Sequence, residues 1–228
     1  MLARVEQLID GNRRALRIVV FGFYGVNIVM IIVGLLATNL HDPIDRPVFD
    51  SLAAADDTWL SDILRTVTKM GNEWPTLIAA VGGGLLLTLW LAFNRSSRWW
   101  VPVVFLPAAW FTTRGFLLIV TDLVPRPRDE ISITDEMIGG YPSGGVTRTI
   151  VVYGLLAFLA SHYGRLSPTA TRLVFATAAI LGLAEALARF RLNQHWVTDV
   201  IAGLPYGTML VVVAAATIRA LDPMASRS

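Results

Sequence analysis

The sequence is poor in charged residues and contains no cysteine, and each absence narrows the possible classes of protein. Without cysteine, disulfide bonds, thiolate catalysis and cysteine-ligated metal sites are excluded. Charged residues make up only 16% of the chain, whereas hydrophobic residues make up 54%. A net charge of +2 gives no electrostatic argument for a nucleic-acid partner. Together with a mean hydropathy of +0.58, this composition indicates an integral membrane protein.

Six apolar stretches have about the length at which a helix crosses a bilayer, roughly 20 residues. They predict spans at 18–37, 74–93, 99–120, 146–163, 172–188 and 196–218. Tryptophans stand at several span ends, where amphipathic rings favour the membrane interface. With no internal repeat and no second compositional region, residues 1–228 are predicted to form one all-α domain, a polytopic bundle of six transmembrane helices.

The distribution of arginine predicts the orientation of this bundle. Cytoplasmic segments of membrane proteins carry an excess of basic residues. With both termini in the cytoplasm, the inner segments hold Arg4, Arg13, Arg14, Arg17, Arg95, Arg98, Arg165, Arg172, Arg219 and Arg227. The outer segments then hold fewer cations, and the loops 121–145 and 189–195 both lie outside. We therefore expect an integral protein of a bacterial plasma membrane with its functional end on the extracytoplasmic face.

The long outer segment 38–73 contains the stretch TWLSDILRTVTKMG, whose apolar residues have helical spacing. This pattern favours an ordinary amphipathic loop helix that stops at Gly71. A helix lying along the membrane interface is the alternative.

The stretch RFRLNQHWVTD places three reactive side chains between two apolar runs. His195 follows Arg189 by six residues, and Asp199 follows His195 by four, at the beginning of a predicted helix. A carboxylate that accepts one ring N–H fixes the histidine tautomer and makes the other nitrogen a better nucleophile. Arginine offers a planar set of donors suited to phosphate oxygens. The stretch is therefore suited to attack on a phosphoryl group through a phosphohistidine intermediate. The alternative is a histidine and an aspartate that merely extend to the membrane surface.

Two further segments on the same predicted face are suited to phosphate. LVPRPRD contributes Arg126 and Arg128, and GGYPSGGVTRT runs directly into the fourth span. Ser143, Gly144 and Gly145 are expected to present a hydroxyl and unpaired backbone N–H groups at a helix start, which is an anion site by geometry.

In order and spacing, these segments resemble the type 2 phosphatidic acid phosphatase superfamily, with its motifs K-x6-R-P, P-S-G-H and S-R-x5-H-x3-D. The resemblance implies that Arg189 clamps the phosphate, His195 attacks phosphorus and Asp199 orients His195. It also implies that Arg126, Arg128, Ser143 and Gly144 bind phosphate. Membrane members act on lipid phosphates or prenyl diphosphates without a metal or another cofactor, so the expected partners are such substrates and membrane lipids.

Several motif positions depart from the family pattern. The lysine of the first motif falls on Thr121, its proline on Asp129, and the serine before Arg189 is Ala188. The histidine that usually protonates the leaving group is replaced by Gly145, which has no proton to donate. Without an acid, diphosphates are expected to react better than monophosphates, because they expel a more stable leaving group.

Nearby ionisable residues are candidates to take over the roles of the missing lysine and the missing histidine. Arg148, three residues after Gly145, is predicted to bind the substrate phosphate in place of the lysine, or to pair with Glu185. Glu185 lies within the fifth span and needs a partner there, so we expect it to support Arg189 or Arg148 rather than to act in catalysis. The acidic residues between Asp129 and Glu136 are a further source of a general acid, although a solvated loop is the simpler interpretation.

The sequence thus predicts a lipid phosphate or polyprenyl diphosphate phosphatase or phosphotransferase. The alternative is a catalytically impaired relative that binds anionic lipid or assembles with envelope enzymes. A transporter fits less well, since the charges gather at one end of the spans rather than in the middle of the bilayer.

Overall fold

A computed structural model describes residues 12–53, 59–126 and 140–221, and every regular element in these ranges is helical. Six long helices are α1 (Asn12–Leu40), α4 (Glu73–Phe93), α5 (Val101–Leu123), α6 (Gly144–Gly164), α7 (Pro168–Arg191) and α8 (Val197–Leu221). Two short helices, α2 (Arg46–Ala53) and α3 (Trp59–Val67), lie between α1 and α4. The long helices are apolar enough to cross a membrane, which confirms the predicted all-α fold with six spans.

Helix α6 occupies the centre of the bundle and packs against α4, α5, α7 and α8. Its most apolar stretch is 61% buried, compared with 17% for α1 at the periphery. The approach of α8 to α6 depends on Gly207, because a Cβ there would stand 2.9 Å from Cβ of Ile150 and 3.0 Å from the carbonyl oxygen of Thr147. Small residues at such crossings let membrane helices approach closely.

Successive long helices run in opposite directions, so three connections gather at one end of the bundle, which we call the site end. Their described parts are residues 41–53 and 59–72, 124–126 and 140–143, and 192–196. At the opposite end, α7 begins conventionally, with Ser167 accepting a hydrogen bond from the backbone N–H of Ala170 (3.2 Å) and Pro168 in the first turn. Asn72 and Ser143 hold the same cap positions of α4 and α6 at the site end, yet neither side chain caps its helix.

The predicted amphipathic helix of the outer segment is present as α3. Its buried Leu64 packs on Ala188 and Leu192 of the α7 end, while Trp59 is 75% exposed. A 3₁₀ turn, Thr68–Gly71, follows and ends where Asn72 becomes extended, so the helical run stops at Gly71 as expected. This turn, with Asn72, is called the 68–72 turn below.

Candidate active site

Backbone hydrogen bonds join the start of α6 to the start of α8 and close the loop between α7 and α8. The N–H of Ser143, before α6, donates to the carbonyl oxygen of Asp199 in the first turn of α8 (3.0 Å). The N–H of Gln194 donates to the carbonyl oxygen of Arg189 (3.1 Å), which closes the short loop between α7 and α8. The residues that the sequence singled out before α6, at the end of α7 and at the start of α8 therefore lie at one place.

His195 and Asp199 face each other inside this end of the bundle. Nδ1 of His195 lies 3.8 Å from Oδ2 of Asp199, and neither atom has a hydrogen-bond partner among the described residues. Both side chains are buried. The distance is longer than a hydrogen bond, as is common for catalytic pairs without substrate. With Nδ1 directed at the carboxylate, Nε2 is the ring nitrogen on the opposite side.

The surroundings of His195 favour its neutral form. Burial lowers the pKa of His195 below its ordinary value, and the positive charges of Arg189 and Arg148 lower it further. The Asp199 carboxylate acts in the opposite direction but does not reverse the shift. A neutral imidazole retains the lone pair that a nucleophile needs.

Arg189 is held at the C-terminal end of α7 by three acceptors. Its Nε donates to Oε1 of Glu185 (2.7 Å), one turn earlier on the same helix. Its Nη2 donates to Oδ1 of Asn72 (2.7 Å) and to the carbonyl oxygen of Thr68 (3.3 Å). The expected pairing of Glu185 with Arg189 is thus present, and the side chain of Asn72 is turned to Arg189 instead of capping α4.

Arg148 reaches the same place from α6. Its Nη2 donates to the carbonyl oxygen of Gly71 (3.1 Å), and its Nε is buried without a partner among the described residues. The 68–72 turn therefore supplies acceptors to both Arg148 and Arg189. A salt bridge between Arg114 and Glu73 (2.7 Å) lies beside this cluster and is partly exposed.

The start of α6 has the character expected of an anion site. Ser143 is fully buried, makes no capping bond, and its Oγ has no hydrogen-bond partner in the part of the chain described. The first-turn N–H groups at Gly144 and Gly145 therefore lack the usual side-chain acceptor.

Gly145 lies directly beneath the ion pair of α7. A Cβ at this position would stand 2.7 Å from Nη2 of Arg189 and 2.7 Å from Oε1 of Glu185. Real Cβ atoms essentially never come closer than 3.0 Å to such neighbours. The space that a side chain at 145 needs is therefore filled by the Glu185–Arg189 pair.

Arg126 does not lie where the motif comparison placed it. Its side chain is fully buried and donates to Asp45 Oδ2 (2.5 Å), Asp199 Oδ1 (3.1 Å) and the carbonyl oxygen of Ala37 (2.8 Å), and also to Thr198 Oγ1 (2.5 Å). With these acceptors around it, the guanidinium holds Oδ1 of Asp199 and links it to Asp45 and to the end of α1. It is therefore not presented to a phosphate. Arg128 and the acidic residues between Asp129 and Glu136 lie outside the described residues.

Sequence reasoning missed two residues of this arrangement, Asp45 and Asn72. Asp45 accepts from Arg126, and its Oδ1 also accepts from the N–H of Thr198 (3.0 Å). No motif marks Asp45, which lies some eighty residues before its arginine. Asn72 did carry a signal, since an asparagine directly before an apolar helix is a typical N-cap. In the structure, its side chain accepts a hydrogen bond from Arg189 and does not cap the helix.

The fold and the site define a class: a helical membrane protein with a buried histidine–aspartate pair and two arginines beside a helix N-terminus. Residues 123–222, which contain this site, match the sequence model of the PAP2 superfamily. This match is to the superfamily that the motif spacing predicted.

Two comparisons with individual proteins agree with this assignment. Phosphatidylglycerophosphatase B of Bacillus subtilis is 24% identical over 185 residues, which cover 79% of this chain and 86% of that protein. The crystal structure of a transmembrane PAP2 type phosphatidylglycerolphosphate phosphatase from Bacillus subtilis matches with a TM-score of 0.67 at 17% identity. That match covers 85% of this chain and 94% of the other, and the shared fold is the six-span bundle. The comparisons support the predicted enzyme class, a lipid phosphatase.

Proposed function

We propose that this protein hydrolyses a lipid phosphate at the membrane surface through a phosphohistidine intermediate on His195. The observation that carries the proposal is the position of His195, which is buried and faces the carboxylate of Asp199, while the charges of Arg189 and Arg148 lower its pKa. A neutral histidine next to two cations is suited to attack an anionic centre, because the cations bind the phosphoryl oxygens while the imidazole keeps its lone pair. The similarity to a phosphatidylglycerophosphatase supports a phospholipid phosphate as the substrate.

Each residue of the site has a role in this reaction. Arg189 and Arg148 bind the phosphoryl oxygens, together with the N–H groups at Gly144 and Gly145 and the hydroxyl of Ser143. Nε2 of His195 attacks phosphorus, and Asp199 accepts a hydrogen bond from Nδ1–H and stabilises the charge that develops on the ring. Arg126 acts as a positioning residue, since it holds the other carboxylate oxygen of Asp199. Water then attacks the phosphohistidine and releases phosphate.

We further propose that the site end faces away from the cytoplasm. The arginine excess in the segments at the opposite end supports this orientation, with both termini inside. A substrate lipid of the outer leaflet then reaches the site without crossing the membrane.

A binding role without turnover is the second candidate, and two observations favour it. Gly145 lacks the acid of the family pattern, and the 68–72 turn already supplies acceptors to both arginines. Such a protein would retain anionic lipid and release no phosphate.

Phosphate release in detergent separates these functions. The purified protein is incubated with a panel of lipid monophosphates and prenyl diphosphates, beside His195→Ala and the matched control His162→Ala, whose histidine lies at the far end of α6. Release by the wild type and by His162→Ala, and its loss in His195→Ala, is the expected result. Trapping of acid-labile, alkali-stable label on the wild type alone identifies the intermediate. Unchanged release in His195→Ala contradicts the mechanism, and lipid binding without release by the wild type supports the binding role.

A further inference from the structure

The position of Glu185 suggests a source for the proton that Gly145 cannot supply. We propose that the carboxyl group of Glu185 is the general acid of this site and protonates the leaving oxygen of the lipid. This inference rests on the proposed function and assigns a catalytic role to a residue that the sequence places only in support of Arg189.

The first observation is the place that the carboxyl group occupies. Oε1 of Glu185 lies 2.7 Å from the point where a Cβ on Gly145 would stand. The same oxygen also lies against the backbone of Gly71, so closely that a Cβ there would collide with it. Two glycines on two different elements therefore make room for one carboxyl group. It fills the space from which a side chain at position 145 would otherwise reach the substrate.

The second observation is the state of the two carboxyl oxygens. Oε1 accepts a hydrogen bond from Arg189, whereas Oε2 is buried and has no hydrogen-bond partner among the described residues. The residue is 1% exposed, so water does not satisfy this oxygen from bulk solvent. A buried oxygen without a donor is costly as part of a carboxylate. Oε2 is therefore the atom on which a proton is best accommodated.

The charges around Glu185 change when substrate binds. Arg189 on the same helix and Arg148 on α6 are the charged groups that act on this carboxyl group. A phosphate that binds these two arginines brings its own negative charge next to Glu185. Two anionic groups at close range favour protonation of one of them. Binding of the phosphate thus favours protonation of Glu185, and the next step transfers this proton to the leaving oxygen.

The other acids in the described part of the site end are less suited. Asp199 and Asp45 are both engaged by Arg126, and Glu73 is paired with Arg114 at the exposed edge. The phenol of Tyr141 is buried, and burial and the charge of Asp199 raise its pKa well above the ordinary value. Glu185 is the acid that adjoins both Gly145 and the arginines.

The proposed step balances as follows. Nε2 of His195 forms a bond to phosphorus while the bond from phosphorus to the ester oxygen breaks. The bonding electrons pass to that oxygen, which takes the proton from Glu185 and leaves as an alcohol. Glu185, now a carboxylate, accepts a proton from the water that attacks the phosphohistidine. Phosphate departs, and the carboxyl group is protonated again. With this acid in place, the reason to expect a preference for diphosphates disappears, and lipid monophosphates become the substrate class.

The test compares two leaving groups, because an acid matters only when the leaving group is poor. Dioctanoyl phosphatidic acid expels an alkoxide, whereas 4-nitrophenyl phosphate expels a stabilised phenoxide that needs no proton. Glu185→Gln keeps the shape and an acceptor for Arg189 but cannot act as the acid. We expect kcat for phosphatidic acid to fall about 10²–10⁴-fold, the usual contribution of a positioned acid, and kcat for the aryl phosphate to fall less than about tenfold. The alkaline limb of the pH profile for phosphatidic acid should also disappear.

A second variant moves the acid back to α6. Glu185→Ala removes one of the two groups that crowd position 145, and the double variant Gly145→His/Glu185→Ala places an imidazole there, which requires the flexible end of Arg189 to shift. The double variant should turn over phosphatidic acid at least about tenfold faster than Glu185→Ala, within the range of an acid's contribution. Equal loss on both substrates in Glu185→Gln, with no gain in the double variant, would overturn the role of Glu185 while leaving His195 as nucleophile. Absence of phosphate release from the wild type would overturn the proposed function and this inference with it.

Discussion

Oε1 of Glu185 and Nη2 of Arg189 each lie 2.7 Å from the point where a Cβ on Gly145 would stand. Gly145→Ala should therefore displace the pair, although both groups are the ends of flexible side chains. We expect kcat/KM for the lipid to fall by up to about 10²-fold, because a shift of roughly 1 Å in a positioning group has this effect. Gly115→Ala is the matched control, since a Cβ there meets nothing within 4 Å. Wild-type kinetics in Gly145→Ala would show that the position of the pair is unimportant.

Asp199→Asn tests the orientation of His195. The amide keeps the shape of the side chain but offers Nδ1 no charged acceptor, so the histidine loses the support for its attacking tautomer. By analogy with other histidine–aspartate pairs, kcat should fall about 10³–10⁴-fold with little change in KM. Steady-state kinetics on the lipid measure both values. A change confined to KM would place Asp199 in substrate binding instead.

Because Arg126 is surrounded by buried charges, its substitution should lower the stability of the protein as well as its activity. Arg126→Ala leaves Asp45 and Asp199 buried without their cation, and breaking such a pair from one side costs about 3–5 kcal/mol. Asp50→Ala removes the exposed partner of Arg46 on α2 and should change stability by about 0.5 kcal/mol or less. Thermal unfolding in detergent compares the two variants. Equal melting temperatures would contradict the structural role given to Arg126.

The lowered pKa of His195 predicts the acidic limb of the pH profile. Attack requires neutral His195, so kcat/KM should rise with pH through the pKa of this residue, at a midpoint below the ordinary value of about 6.5. Arg148→Gln removes one of the charges that lower this pKa and should move the midpoint upward, even though overall activity falls. Arg172→Gln, exposed at the other end of α7, should leave the midpoint in place. A midpoint above 6.5 in the wild type would contradict the assignment.

The absence of cysteine allows a direct test of orientation. Thr66 on α3 and Ser97 between α4 and α5 are both exposed, at opposite ends of the bundle. In intact cells, an impermeant maleimide should label Thr66→Cys and should label Ser97→Cys only after the membrane is opened. The reverse pattern would place the site end in the cytoplasm.

Local patterns predicted those parts of the molecule that depend on neighbouring residues. The six spans follow from apolar runs of sufficient length, and the contacts of His195 with Asp199 and of Glu185 with Arg189 follow from helical spacing. In each of these two pairs, the residues are four positions apart. The motif comparison likewise identified the superfamily from spacing within the second half of the chain.

Relations that depend on packing between distant segments could not be predicted in the same way. Arg126 was expected to bind substrate, but Asp45 and the carbonyl oxygen of Ala37 reach it from the first outer segment. The sequence also does not reveal that α7 sets Glu185 against Gly145. Packing along the whole bundle fixes the register of the helices, and this register determines the contacts of both Arg126 and Gly145.

Oxygens of the 68–72 turn already accept the hydrogen bonds with which Arg189 would bind phosphate. A bidentate contact with phosphate needs Nη2 of Arg189 together with a neighbouring nitrogen, and the hydrogens of Nη2 already go to Asn72 and Thr68. In the proposed mechanism, phosphate binding is therefore an exchange of acceptors, in which the oxygens of Asn72 and Thr68 compete with the phosphate. Such a competitor weakens apparent affinity by the fraction of time that it holds the arginine. It also takes the arginine back as inorganic phosphate departs, so that the same turn which opposes entry of the substrate favours exit of the product.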